Sequence, residues 1–260
     1  MLTELESHAT PGADVSLLGP GHWRLSIPAG PAGRYRYAQL DDYQRHTRSA
    51  FRWQPPLRLS LRARVPHAAL PGTWGFGLWN DPFSASLGLG GTARHLPALP
   101  NAAWFFYASP PNYLAVWDNH PAQGFLAATF SAPHVPLPLM ALGLPALPAL
   151  AWPPTARRLR RLARRLIRED AASIEVETAE WHNYTLEWLA DHVRFLVDER
   201  SCFETAVAPR PRLGLVLWID NQYAAFSPQG RLRFGKLAND EPAWLELADV
   251  EVEALPAHGL

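Results

Sequence analysis

Along most of this chain apolar side chains recur at every second position, the period of a strand with one buried face. Leu57–Val65 (LRLSLRARV) is the clearest case, with leucine or alanine alternating against arginine or serine. Trp23–Ile27 (WRLSI) alternates in the same way and is followed by turn residues Gly30, Pro31 and Gly33. Trp74–Trp79, Ala102–Tyr107, Tyr113–Trp117 and Phe125–Phe130 are short apolar or aromatic runs that predict strands. Ile174–Glu177, Trp181–Trp188, Val193–Val197, Leu213–Ile219 and Leu245–Val252 predict five more, with Asp191-His192 at the turn between the second and third. Tyr35–Tyr43 predicts a strand or an extended loop, and residues 1–21 a loose arm with a strand near its end. Many short strands punctuated by Pro and Gly predict an all-β sandwich or jelly roll.

One insert, 131–170, breaks the pattern. Asn119–Ala156 holds no Asp, Glu, Lys or Arg, and its centre is the apolar run Leu137–Trp152. In Thr155–Asp170 (TARRLRRLARRLIRED), Leu159, Leu162, Ala163, Leu166 and Ile167 recur at helical spacing. Arginines fill the other positions, seven of them across Arg157–Arg168, and Thr155 is the expected N-cap. A basic amphipathic helix after an apolar run has the make-up of a membrane-surface anchor. On that reading Leu159, Leu162 and Leu166 meet the acyl boundary, while Arg160 and Arg164 meet anionic headgroups. Prolines 133, 136, 138, 145 and 148 exclude a regular spanning helix. A lid over a cleft and an oligomer interface are the competing readings of the same insert.

Composition narrows the field. At 260 residues, 48% hydrophobic and 11% aromatic, the chain has material for one large folded domain, 1–260. Its 24 basic and 24 acidic residues balance, which gives no global case for nucleic acid. One cysteine, Cys202, excludes an internal disulfide framework, and the scattered histidines lack metal-ligand spacing, so no metal or cofactor is expected. The early acids and the lack of an apolar stretch at the start speak against a secretory signal. The expected location is cytoplasmic, with the insert as a device for peripheral membrane attachment.

Three segments carry a family resemblance. Leu61–Trp79 (LRARVPHAALPGTWGFGLW), Trp181–Asp198 (WHNYTLEWLADHVRFLVD) and Trp244–Val252 (WLELADVEV) resemble the family 16 glycoside hydrolases. The resemblance implies a concanavalin A-like jelly roll of two antiparallel sheets, one concave and forming a cleft, with a helical insert around 137–170. In that family a central strand carries Glu-x-Asp-x-x-Glu. One carboxylate attacks the sugar and another protonates the leaving oxygen, the pair standing ~5–5.5 Å apart in retaining enzymes. The matching segment here is Asn101–Ser109 (NAAWFFYAS), which has no carboxylate. Between Asp81 and Glu169 the only acid is Asp118. The resemblance therefore implies a binding cleft without the family's hydrolytic acids.

Candidate chemistry follows from these positions. Trp79, Trp104, Tyr107, Trp117, Trp218 and Tyr223, with Trp74 as a further ring, fall where the resemblance places the cleft. Flat rings of this kind stack on sugar faces or on an apolar extended ligand. Asp220 and Asn221 follow Trp218 and would add polar contacts. Asp118 and His120 are close enough in sequence to form a re-made acid/base pair, the basis of an enzyme reading. Turn chemistry is the plainer role for Asp81, Asp118 and Asp220, each beside an Asn. His182 is expected as a hydrogen-bonded core histidine. A glycan is the first expected partner and an apolar small molecule the second; an anionic membrane surface and a second copy of the chain are the further partners.

Overall fold

Two seven-stranded antiparallel sheets packed face to face form the frame of the structure, a computed structural model that describes residues 5–82, 95–135 and 152–256. The first sheet runs in the order β1 (Glu6–Ala9), β4 (Tyr37–Asp41), β13 (Gly214–Asp220), β6 (Thr73–Trp79), β7 (Ala102–Ala108), β8 (Gly124–Ser131), β9 (Arg168–Ser173). The second runs β12 (Arg200–Thr205), β11 (Val193–Val197), β10 (His182–Trp188), β5 (Leu57–Arg64), β16 (Ala243–Ala254), β3 (His22–Ile27), β2 (Asp14–Gly19). A separate hairpin joins β14 (Gln222–Phe226) to β15 (Leu232–Lys236), and the main helix is α1 (Pro153–Leu166). This is an all-β jelly-roll sandwich with one substantial helix.

Alternation along β5 sets the core of the second sheet. Leu57, Leu59, Leu61 and Ala63 are buried, while Arg58, Arg62 and Arg64 stand on the outer face. There they meet acids from neighbouring strands. Arg58 bonds Glu187 and Glu253, Arg62 reaches Asp249, and Arg64 shares Glu246 with Arg24. Phe76 lies 5.0 Å from Tyr184, and Phe105 lies 5.1 Å from Phe195, so rings bridge the two sheets. Trp188 is fully buried and donates its indole N–H to the Pro209 carbonyl.

Several elements depart from the reading of the sequence. The N-terminal arm contains two edge strands, β1 on one sheet and β2 on the other. Tyr113–Trp117 is not a strand: apart from one bridge at Tyr113, its backbone has no strand partner. The Val116 and Trp117 N–H groups donate instead to the Glu169 carboxylate. The strand expected at Ile174–Glu177 lies earlier, at β9, whose pairing with β8 from Arg168 onward ends the helix at Leu166. At the other end the helix starts at Pro153, with Trp152 rather than Thr155 in the capping position. Proline suits that first turn because it lacks an N–H that would go unbonded there. The apolar run of 137–151 lies outside the described residues. No helix among the described residues is long and apolar enough to cross a membrane.

Candidate functional site

Strand alternation gives the first sheet a second apolar face, turned away from the other sheet. On β7, Ala103, Phe105 and Tyr107 point into the inter-sheet core, whereas Ala102, Trp104, Phe106 and Ala108 point outward. Pairing aligns these with neighbours in rows: Gln39, Trp218, Gly75, Phe106 and Leu126 in one, Asp41, Val216, Gly77, Trp104 and Ala128 in the next. Trp79 pairs with Ala102, which pairs in turn with Phe130 and then Glu169.

The glycines of β6 make room for the rings. A Cβ at Gly75 would stand 2.7 Å from Trp218 Cη2, and one at Gly77 would stand 2.5 Å from Trp104 Cα. With those Cβ atoms missing, Trp79 and Trp218 lie parallel with centroids 6.4 Å apart, and Trp104 and Phe106 each approach Trp218 within 6 Å. Tyr43, Phe51, Leu99, Leu114, Val116, Ala163 and Ile167 pack against this floor. Trp79, Trp104, Phe106 and Phe130 are consequently buried, and Trp218 stays partly open. Trp218 donates its indole N–H to Thr73 Oγ1, whereas the indole N–H of Trp104 is buried with no acceptor among the described residues.

Polar groups sit at the two borders of the floor. On the Trp218 side, Asp220 accepts from Thr73 Oγ1 at 2.8 Å and from Tyr35 Oη at 3.4 Å. Burial pushes its carboxyl up to about 6, partly offset by those hydrogen bonds. Tyr35 and Tyr37 stack at 5.2 Å beside it. Further along, Asp41 is fully buried. It accepts from Gln39 Nε2, Gln44 Nε2 and the backbone N–H groups of Tyr43 and Gln44. Burial raises its pKa. On the opposite border Glu169 is pushed up to about 7, again mainly by burial.

These carboxylates stand well apart from one another. Asp41 pairs with Val216, so it lies four residues along β13 from Asp220, about 14 Å at strand spacing. Glu169 is four strands from β13, on the order of 19 Å across the sheet. Glu6 does pair directly with Asp41, and His8 Nε2 lies 3.5 Å from Asp41 and 3.8 Å from Glu6. Yet Asp41 is closed off from solvent by its four donors, and Glu6 is held by Arg45 at 2.8 Å. Both carboxylates are held by partners within the fold.

The remaining candidates divide clearly. Trp79, Trp104, Trp218 and Asp220 share the outward aromatic face. Tyr107 does not: its ring stacks on Trp74 in the inter-sheet core. Strand parity decides this, because Tyr107 and Trp104 are an odd number of residues apart. Trp74 is in the core for the same reason. Asn221 is fully buried and structural, donating to the Arg34 and Leu237 carbonyls. Tyr223 belongs to the β14–β15 hairpin, and Trp117 is exposed beneath the Arg164 guanidinium.

Asp118 and His120 are not an acid/base pair. Asp118 accepts from Arg160 at 2.8 Å and is ion-paired with Arg164, whereas His120 Nδ1 faces Asp170 at 3.8 Å. Burial works to raise the Asp118 pKa, but the hydrogen bonds from Arg164 and Arg160 outweigh it and hold the carboxyl low. His182 sits near the surface, bonded to Asp198 Oδ2 at 2.6 Å. The sequence reading missed Glu169 and His95. His95 Nδ1 meets Asp81 Oδ2 at 2.6 Å and its Nε2 meets the His46 carbonyl, an arrangement that favours the imidazolium and raises its pKa. Both partners come from distant segments, so no local signal marks them. Among the described residues no group of three or more His, Cys, Asp or Glu side chains is placed to hold a metal ion.

The helix also docks differently from the expectation. Arg160, only 3% exposed, faces inward, donates to Asp118 and to the Phe226 carbonyl, and lies over the Tyr113 ring. Arg164 donates to the Val116 carbonyl. These two arginines are therefore occupied within the fold and do not point to headgroups. Replacing Arg160 with Met should weaken helix docking by about 1–2 kcal/mol, since Asp118 is partly exposed and water can take over its solvation. Amide exchange across Pro153–Leu166 would then quicken roughly tenfold without change elsewhere.

The fold and this face define a two-sheet jelly-roll sandwich with an aromatic outer floor. No protein-family model and no curated protein matches the chain. Similar solved structures include a glycoside hydrolase family protein from Mycobacterium thermorestibile, 14% identical over 90% of this chain and 76% of that one, TM-score 0.47. A legume lectin-like domain from Entamoeba histolytica is 7% identical over 94% and 91%, TM-score 0.48. A Bacillus licheniformis β-glucanase is 11% identical over 95% and 91%, TM-score 0.47.

Proposed function

We propose that the chain binds a glycan against the Trp218 end of the aromatic floor and does not hydrolyse it. The observation that carries this reading is the partly open Trp218 ring. It is backed by parallel Trp79, cleared by Gly75 and bordered by the hydrogen-bonding groups of Asp220 and Tyr35. A sugar presents an apolar face to such a ring and hydroxyls to such a border, so one contact supplies area and the other orientation. The spacing of Asp41, Asp220 and Glu169 supports binding over turnover, because no two of them reach a common bond.

Titration with β-glucan oligosaccharides should change the tryptophan fluorescence. Trp218→Ala should weaken that binding by about tenfold or more, a loss of ~1.4 kcal/mol. No reducing ends should be released. Binding that ignores the Trp218 substitution, or a glycan panel with no binder, would sink the reading. An apolar extended ligand is the second reading, favoured by the apolar surroundings of the partly open Trp218 ring, whose neighbours are Trp79, Trp104 and Phe106. Its mark would be a bound apolar molecule recovered by solvent extraction of the purified protein.

A further inference from the structure

The docked helix α1 carries its apolar residues on the wrong side for a helix that is merely part of the fold. Ala156, Arg160 and Ile167 are buried, and Ala163 packs on the aromatic floor's cover. Leu159, Leu162 and Leu166, by contrast, are 41%, 50% and 40% exposed, and Trp152 at the helix start is 64% exposed. At three- and four-residue intervals the leucines form one continuous stripe. Beside them Arg157, Arg158, Arg161 and Arg165 are exposed, and none makes an ion pair among the described residues. Arg157, Arg158 and Arg161 also line a depression of about 430 Å³ together with Arg160, Arg164 and Asp118, whose single carboxylate is already taken. Helix α1 contains no acidic residue.

We propose that the exposed face of α1 docks on an anionic lipid surface. The leucines and Trp152 enter the headgroup boundary, and the four unpaired guanidiniums engage lipid phosphates or carboxylates. A solvated helix would show charge where this one shows leucine. A protein partner would need acids to match the arginines and a socket for the leucines, whereas an anionic bilayer supplies both charge and apolar depth at every point. Long arginine side chains can lie along the interface and keep their heads in the headgroup layer while the leucines insert. Arg160 and Arg164 hold the helix to the protein so that the stripe is presented outward. The membrane reading thus keeps the leucines and exchanges the arginines: positions 157, 158, 161 and 165 replace 160 and 164.

The test is co-sedimentation of the full chain with phosphatidylcholine vesicles and with vesicles containing phosphatidylserine. Binding is expected only to the latter, and it should weaken as salt rises from about 0.05 to 0.3 M. Leu159→Gln with Leu162→Gln and Leu166→Gln should cut binding by at least about tenfold. Arg158→Gln with Arg165→Gln should do the same, roughly fivefold per charge. All these positions are exposed, and unchanged circular dichroism will show that the variants fold. Three results would overturn the proposal. One is wild-type protein left in the supernatant with both vesicle types. The second is binding unaffected by the leucine changes and abolished by a soluble polyanion, the mark of a free-anion site. The third is a dimer in sedimentation that the leucine variant dissolves.

Discussion

Replacing Trp104 with Ala should cost about 3–5 kcal/mol of stability, the largest single loss expected on the aromatic face. The ring is 7% exposed and touches Trp79, Phe106, Phe130 and Trp218. Its removal leaves a cavity that a sheet cannot close, because β7 is fixed by pairing on both sides. At ~2–4 °C per kcal/mol, the melting temperature should fall by roughly 10 °C. Trp104→Phe should recover much of that, because it also removes a buried indole N–H with no acceptor among the described residues. A loss under about 1 kcal/mol for the alanine variant would mean the floor is not packed as described.

The second large effect is a pH profile with its maximum on the acid side. Burial raises Glu169 to about 7, and Asp42 and Asp220 each to about 6. A carboxyl with a raised folded pKa favours the folded state fully below its unfolded value. That advantage is lost as pH climbs through the folded value. His95, also raised, loses its contribution in the same direction. The opposing groups, Asp118, Asp198 and Glu246, have lowered pKa values; their stabilisation is present above the ordinary carboxylate range and is lost only as pH falls below it.

Stability should therefore peak near pH 5 and decline toward pH 8. Glu169 alone can account for about 3 kcal/mol at most. Glu169→Gln keeps an acceptor for the Val116 and Trp117 N–H groups but cannot ionise. Thermal melts of this variant across pH 5–8 should show a flatter decline than wild type. Parallel curves would remove Glu169 from the account.

Much of the architecture was legible in the linear pattern. The alternation in β5 specifies both its buried leucines and its arginine face, since strand geometry sends successive side chains to opposite sides. Trp79, Trp104 and Trp218 could be nominated because the family resemblance places their strands around a cleft. Which rings share a face was not legible across strands, because that depends on register. The same limit sent Tyr107 and Trp74 to the core. Strands β1, β2 and β12 are short, polar edge strands whose order comes from their neighbours, and their own pattern is weak.

By itself the sequence determined a β sandwich, an aromatic strand without acids at 102–108, and a basic helix carrying a leucine stripe. Each of these is a local property of spacing and residue type. Only the tertiary structure decided that Asp118 belongs to Arg160 and Arg164, and that Glu169 caps a loop fifty residues upstream. It also decided that the helix buries arginine while showing leucine to the outside. Those outcomes turn on which distant segments the fold brings together, since a buried charge such as Arg160 or Glu169 needs partners that sequence spacing does not reveal.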